Sequence, residues 1–159
     1  MSAPETFLSA LSRRAVQHST QEQGCRLAWQ QWPSQASDAQ PLLLIHGGFG
    51  AWTHWAANIE ALSQRFTVWT VDLPGLGRSG DLPRPWSTAG ITERVLAGWR
   101  ALQSAEQQLD IAGFSFGGII AGQLAAALGS QCRRCILIGA SGFGPLHVQA
   151  ELLPPPAPG

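Results

Sequence analysis

The sequence predicts an α/β protein, with a parallel-rich sheet and helices on both of its faces. Three observations carry that expectation. Between residues 41 and 140, short apolar runs alternate with stretches of helical periodicity, the order in which crossover helices return the chain to a parallel sheet. Several of the runs are continuously apolar or β-branched rather than alternating, as strands covered on both faces are. Length and composition fit as well: 159 residues make one domain of ordinary size, and the chain is 45% apolar but only 13% charged. Folded domains usually carry roughly 25% charged residues, so a shortage on this scale argues for a large buried fraction and against disorder.

Residues 1–22 are polar and weakly patterned, and the expectation there is loose packing at most. Cys25–Trp32 (CRLAWQQW) alternates well enough for an edge strand, and Pro33–Gln40 is a turn-rich connector. Pro41–His46 (PLLLIH) is a buried strand stopped by Gly47 and Gly48. Trp52, Trp55, Ile59 and Leu62 fall at helical intervals, so Trp52–Arg65 reads as an amphipathic helix. Phe66–Asp72 is β-branched and aromatic, hence a strand, broken by Pro74-Gly75. A Gly- and Pro-rich loop runs to Gly90, followed by a helical pattern over Ile91–Ser104, a short strand at Leu109–Phe114 and an Ala-rich helix over Phe116–Gly129. Arg134–Ala140 gives one more buried strand before a Gly- and Pro-rich tail that includes Pro154-Pro155-Pro156.

Composition removes whole function classes. All ten basic residues are arginine, and the chain has neither lysine nor tyrosine. A lysine Schiff base, a P-loop Gly-Lys-Ser/Thr and the Tyr-Lys pair of a short-chain dehydrogenase are therefore excluded on these residues. Net charge is zero and no basic stretch is long enough to track phosphates, so nucleic acid is not an expected partner. Cys25 stands alone, and the Cys132-Arg-Arg-Cys135 pair has the context of neither a redox helix nor a zinc site; the three thiols read as incidental. That cysteine usage fits a reducing compartment. The Arg13-Arg14 pair follows the short apolar stretch of Met1–Ala15, the wrong order for a secretory leader, so the expected location is cytoplasmic.

Four glycine-bearing motifs remain. Gly75-Leu-Gly77-Arg-Ser-Gly80 matches a dinucleotide fingerprint, but Pro83 and Pro85 follow at once, and no acidic residue stands about 20 positions on, where one holds the ribose. It reads as a loop. The uncharged stretch from Ile111 to Gly129 has the length of a membrane span and a Gly118-x-x-x-Gly122 face, yet it holds five glycines and reads better as strand, turn and buried helix. No membrane partner is expected.

Gly113-Phe114-Ser115-Phe116-Gly117 is a G-x-S-x-G between a β-rich segment and a helix. A serine on so sharp a turn is held in a strained conformation that lifts its Oγ clear of the sheet, over a helix N-terminus that favours negative charge. The alternative is a plain glycine-rich turn whose serine caps the helix. His46-Gly47-Gly48-Phe49-Gly50 closes an earlier strand, and its glycines let backbone N–H groups approach a ligand oxygen. Acyl transfer needs two such donors. One is expected from Phe116, the other from Gly48, with Phe49 as the alternative.

Together these segments resemble the α/β-hydrolase family, in its esterase and C–C hydrolase branch. The resemblance rests on His46–Gly50, on Asp72-Leu-Pro-Gly-Leu-Gly-Arg-Ser79 and on Gly113–Gly118, and covers about residues 25–145. It implies that Ser115 is a nucleophile forming an acyl-enzyme, with Gly48 and Phe116 as the oxyanion hole. It also implies that His46, Asp72 and Arg78 are structural. Phe49 and Trp52 are candidates for an apolar substrate pocket, and Trp55 and Phe114 for pocket or core. The substrate would be a small apolar ester-like or ketone-like molecule, with no cofactor and no metal. A serine at the elbow argues against the dehalogenase and epoxide-hydrolase branches.

The family order is serine, acid, histidine, but after Ser115 the only acid is Glu151 and the only histidine His147, in reversed order and in the tail. The expected domain division is accordingly 1–22 poorly patterned, 23–145 a partial hydrolase core, and 146–159 the start of a lid. The chain is expected to be truncated after about the sixth strand, and inactive for want of acid and base. The competing expectation is a non-catalytic binding or assembly module on the same partial scaffold. Substrate identity and oligomeric state are not legible.

Overall fold

A computed structural model describes residues 6–142. In chain order it contains α1 (Phe7–Arg13), β1 (Val16–Glu22), β2 (Cys25–Trp32), β3 (Gln40–Ile45), a 3-10 turn (Trp52–Trp55) leading into α2 (Ala56–Ser63), and β4 (Phe66–Val71). Then follow α3 (Thr88–Leu102), β5 (Leu109–Phe114), α4 (Phe116–Leu128), a second 3-10 turn (Gly129–Gln131) and β6 (Cys132–Ile138). The strands form one sheet in the order β1-β2-β4-β3-β5-β6. β4, β3, β5 and β6 run parallel to one another, while β1 and β2 form an antiparallel hairpin joined to β4.

The apolar run of β3 shows why the central strands do not alternate. Leu43 and Ile45 face one side, in a core shared with Ile91, Val95 and Trp99 of α3 and Ile120 and Leu124 of α4. Leu42 and Leu44 face the other side, against Leu11 of α1, Trp55 of the 3-10 turn, and Ala56 and Ile59 of α2. Successive side chains point to opposite faces, so a strand covered on both needs apolar residues at every position. α3 is stopped at its start by Ser87, whose side chain accepts from Gly90 N–H.

Two expectations are corrected at the N-terminal end. The described part of residues 1–22 is not loosely packed: it forms α1, capped by Thr6 Oγ1, and β1. Only Thr20 of β1 is buried, so this edge strand has no apolar pattern to betray it. The hairpin turns on Gln23 and Gly24, both at positive φ, the two-residue geometry that suits strand twist. Consequently β2 is not an edge strand; it lies between β1 and β4.

At the opposite edge, β6 has a strand on one side only among the described residues, and Ile136, Leu137 and Ile138 are exposed there. Residues 111–129 are strand, turn and helix, and no helix among the described residues is long and apolar enough to cross a membrane. The Gly75–Gly80 segment is a loop, closed by Gly75 N–H donating to Gly80 O at 2.8 Å, with no helix before Thr88. All three cysteines are free thiols; Cys25 is buried, and desolvation raises its pKa above the ordinary thiol value.

Candidate active site

Ser115 stands at the junction of β5 and α4 with φ +53° and ψ −121°, a conformation that costs a non-glycine residue on the order of 1–3 kcal/mol. The surrounding backbone holds it there. Ser115 N–H donates to Ile138 O of β6 and Ser115 O accepts from Gly118 N–H, each at 2.9 Å. The flanking glycines are dictated by close approach. A Cβ on Gly113 would lie 2.4 Å from Gly117 O, and a Cβ on Gly117 would lie 2.3 Å from His46 O. The strand, the turn and the helix thus meet backbone to backbone, and half-buried Ser115 is carried at their tip.

The His46–Gly50 turn packs directly against this elbow. A Cβ on Gly47 would stand 3.2 Å from Ser115 Cβ, and one on Gly48 would stand 3.8 Å from Phe116 Cβ. Phe116 is the first residue of α4, where a helix leaves its N–H groups without intrahelical acceptors. The two predicted donors, Gly48 and Phe116, are therefore neighbours across one gap beside Ser115.

Three side chains brace the turn. His46 is fully buried: its Nε2 accepts from Leu73 N–H at 2.9 Å, so its Nδ1 carries the proton and donates to Gly47 O at 2.7 Å. Burial holds its pKa below the ordinary histidine value. With both ring nitrogens engaged, it has none left to serve a substrate. Asp72 is also buried and accepts Trp52 N–H on Oδ1 at 2.7 Å and Arg78 N–H on Oδ2 at 2.9 Å, tying the Gly75–Gly80 loop to the start of the helical segment. Ser79 Oγ completes that clamp, donating to Asp72 O and accepting from Ala28 N–H. The third brace, His54, was not singled out from the sequence, where it reads as the polar side of an amphipathic helix. Its Nδ1 accepts Gly47 N–H at 3.2 Å, and its ring meets Phe114 edge-on at 5.7 Å between centroids. Only its position eight residues past another histidine, beyond three glycines, hinted at a pair of imidazoles gripping one turn.

A cavity of about 610 Å³ opens beside the elbow. Gly48, Phe49 and Phe116 form the wall nearest Ser115, and Leu76, Leu82, Trp86 and Ile91 supply most of the rest. Phe49, at φ +56° and fully exposed, lies on the wall of this cavity. Trp52 does not. It is 5% exposed, packs in the core with its ring 5.6 Å from that of Trp32, and is held there because Asp72 fixes its N–H. Phe114 and Trp55, with His54, line a smaller separate cavity of about 290 Å³. Among the described residues no group of three or more His, Cys, Asp or Glu could hold a metal. His147 and Glu151 lie outside the described residues.

Comparison with known proteins bears on the fold family. A family model for the alpha/beta hydrolase fold matches residues 40–158. The chain is 40% identical over 95 residues to the pimeloyl-[acyl-carrier protein] methyl ester esterase of Edwardsiella ictaluri, covering 59% of this chain and 34% of that protein. It is 30% identical over 128 residues to the human (lyso)-N-acylphosphatidylethanolamine lipase, covering 77% and 37%. Among solved structures, a membrane phospholipase A described as a bacterial virulence factor superposes with a TM-score of 0.73 at 29% identity, over 87% of this chain and 44% of that one. The chain thus spans little more than a third of these curated relatives. With the fold, the elbow and the family model in agreement over its greater part, the chain belongs to the alpha/beta hydrolase fold family.

Proposed function

We propose that Ser115 is the nucleophile of a serine hydrolase that cleaves small ester or activated C–C bonds through an acyl-enzyme. The single observation behind this reading is the strained backbone of Ser115, kept at φ +53° between two glycines that no other residue could replace without backbone clash. Strain of this kind persists only where the surroundings over-determine it, and it clusters at reacting groups. Ser115 Oγ attacks the carbonyl carbon, its proton passing to a histidine base. The N–H groups of Gly48 and Phe116 then donate to the oxyanion, and the same histidine protonates the leaving group. Water hydrolyses the acyl-enzyme by the same steps. Two relatives named an esterase and a lipase favour ester chemistry. No metal or cofactor enters these steps, and the small apolar substrate occupies the cavity beside Phe49. A cytoplasmic location belongs to the same reading.

The base is neither His46, whose two nitrogens are spent on backbone, nor His54, whose Nδ1 is taken by Gly47. In this reading the acid and the base belong to the part of the relatives' length that this chain does not span. The test is labelling with a fluorophosphonate, which reacts only with an activated serine. A version extended by about 100 residues, the usual size difference for one such domain, is expected to label at Ser115 and to lose the label in Ser115→Ala. The 159-residue chain is expected to stay unlabelled. An extended protein that neither labels nor hydrolyses an activated ester overturns the proposal. That result would favour the second reading, a binding or assembly module, for which the exposed apolar edge at Ile136–Ile138 is the supporting feature.

A further inference from the structure

The cavity beside the elbow has one feature that catalysis does not use. Among the described residues its lining is apolar or backbone except for Arg84, the one charged side chain on its wall. The other arginines on this side of the sheet are occupied. Arg78 donates to Gln17 and Ser12, Arg94 to Gly90 O and Gln23 O, and Arg26 to Arg78 O. Among the described residues Arg84 has no hydrogen bond and no carboxylate partner, Asp81 three positions earlier included. It lies in the same loop as Trp86, whose exposed indole forms part of the same wall. An unspent guanidinium at the margin of an apolar cavity is a poor contributor to the free protein and a ready partner for an oxyanion.

We propose that Arg84 sets substrate class: the cavity takes a molecule with an apolar arm whose far end carries a carboxylate or phosphate, held by the Arg84 guanidinium. This rests on the reading of the cavity as the substrate site, and it narrows that reading from apolar esters to anion-ended ones. The apolar wall sequesters the chain of the arm, and Gly48 and Phe116 mark the end at which the reacting carbonyl would lie.

Binding is measured with ligands that cannot be hydrolysed, so the outcome does not depend on turnover. The probes are a medium-chain methyl ketone ending in a carboxylate, its phosphonate counterpart, and the neutral methyl ketone of equal length. Each is titrated into the 159-residue chain while the Trp86 indole N–H signal is followed by NMR. An anionic ketone is expected to bind about fivefold tighter than the neutral one, the size of a partly exposed ion pair, and whichever anion binds tighter names the group. Arg84→Gln is expected to erase the preference with neutral-ketone affinity unchanged, and Arg84→Lys to keep most of it. Equal affinity for all three probes, or a preference that survives Arg84→Gln, overturns the proposal. A preference abolished by Arg84→Gln in a protein whose extended form fails to label at Ser115 would keep the anion subsite and sink the hydrolase. The reverse result would keep the hydrolase and sink the subsite.

Discussion

Two glycine-rich turns flank the candidate site, Gly113–Gly118 and Gly75–Gly80, and they are built on opposite principles. In the first, glycines are required because main chain touches main chain: Gly117 lies against the carbonyls of Ile45 and His46, and Gly113 against that of Gly117. In the second, the fixed partner is a side chain. Gly77, at φ +55°, sits where a Cβ would come 2.4 Å from Asp72 Oδ2, and the loop hangs on that carboxylate and on Ser79. The elbow is thus rigid because it has no room. The loop is rigid because it is tied. Only the first arrangement can hold a serine in a strained conformation, since main-chain carbonyls packed at a strand end and a helix start have less freedom to move aside than a side chain.

Alanine substitution at the two glycines separates these principles. Gly117→Ala forces a Cβ against backbone that cannot retreat and is expected to cost about 3 kcal/mol or more. Gly77→Ala combines a positive φ with a clash against Oδ2 and Cγ of Asp72, so the whole side chain must shift from its hydrogen bonds; because the obstacle is a side chain and not backbone, the expected cost is smaller, about 2 kcal/mol. Urea denaturation of both variants measures the difference. Equal losses would mean that the elbow is no more constrained than the loop.

The contrast also explains what could be read from sequence. The elbow and the oxyanion turn were legible because backbone packing demands glycine at fixed offsets, and the central strands because burial on both faces leaves continuous apolar runs such as Leu42–Ile45. β1 was not legible: its seven residues expose a polar face and bury only Thr20, and its pairing depends on a Gln-Gly turn with a weak signal. Trp52 went astray because helical spacing says which residues share a face but not where that face points. The indole is set by a backbone hydrogen bond from Trp52 N–H to Asp72, 20 positions away. Arg84 and His54 escaped for a related reason, since each matters through what lies opposite it in space.

The braces beneath the oxyanion turn make a smaller, pH-dependent prediction. Burial lowers the pKa of His46 in the folded protein, so between that lowered value and the ordinary value of about 6.5 the unfolded chain binds the proton that the native state refuses. Stability contributed by neutral His46 is therefore complete above about pH 6.5 and declines as pH falls below it. Denaturation midpoints measured across this range should fall with acidification. His46→Gln, which cannot titrate, should flatten the slope whatever it does to the absolute stability. An unchanged slope would place the acid sensitivity elsewhere.

His54 is the mildest test of the same turn, because it grips from the solvent side. Its Nδ1 accepts Gly47 N–H, so its proton sits on Nε2, the opposite tautomer to His46, and the two imidazoles take hold of the N–H and the C=O of one glycine. Replacing His54 by Phe keeps the ring against Phe114 but removes the acceptor, and Gly47 N–H must turn to water. The exposed site makes this worth about 0.5–1.5 kcal/mol, the net contribution of an ordinary hydrogen bond. The sharper readout is local. The Gly47 amide should exchange with solvent faster in His54→Phe, while the amide of Leu73, held by His46, should not change. If both amides speed up together, the two histidines act as one brace and the turn has a single stability. If only Gly47 responds, the side of the turn that faces solvent loosens independently of the side fixed to the sheet, and Gly48 would inherit that freedom.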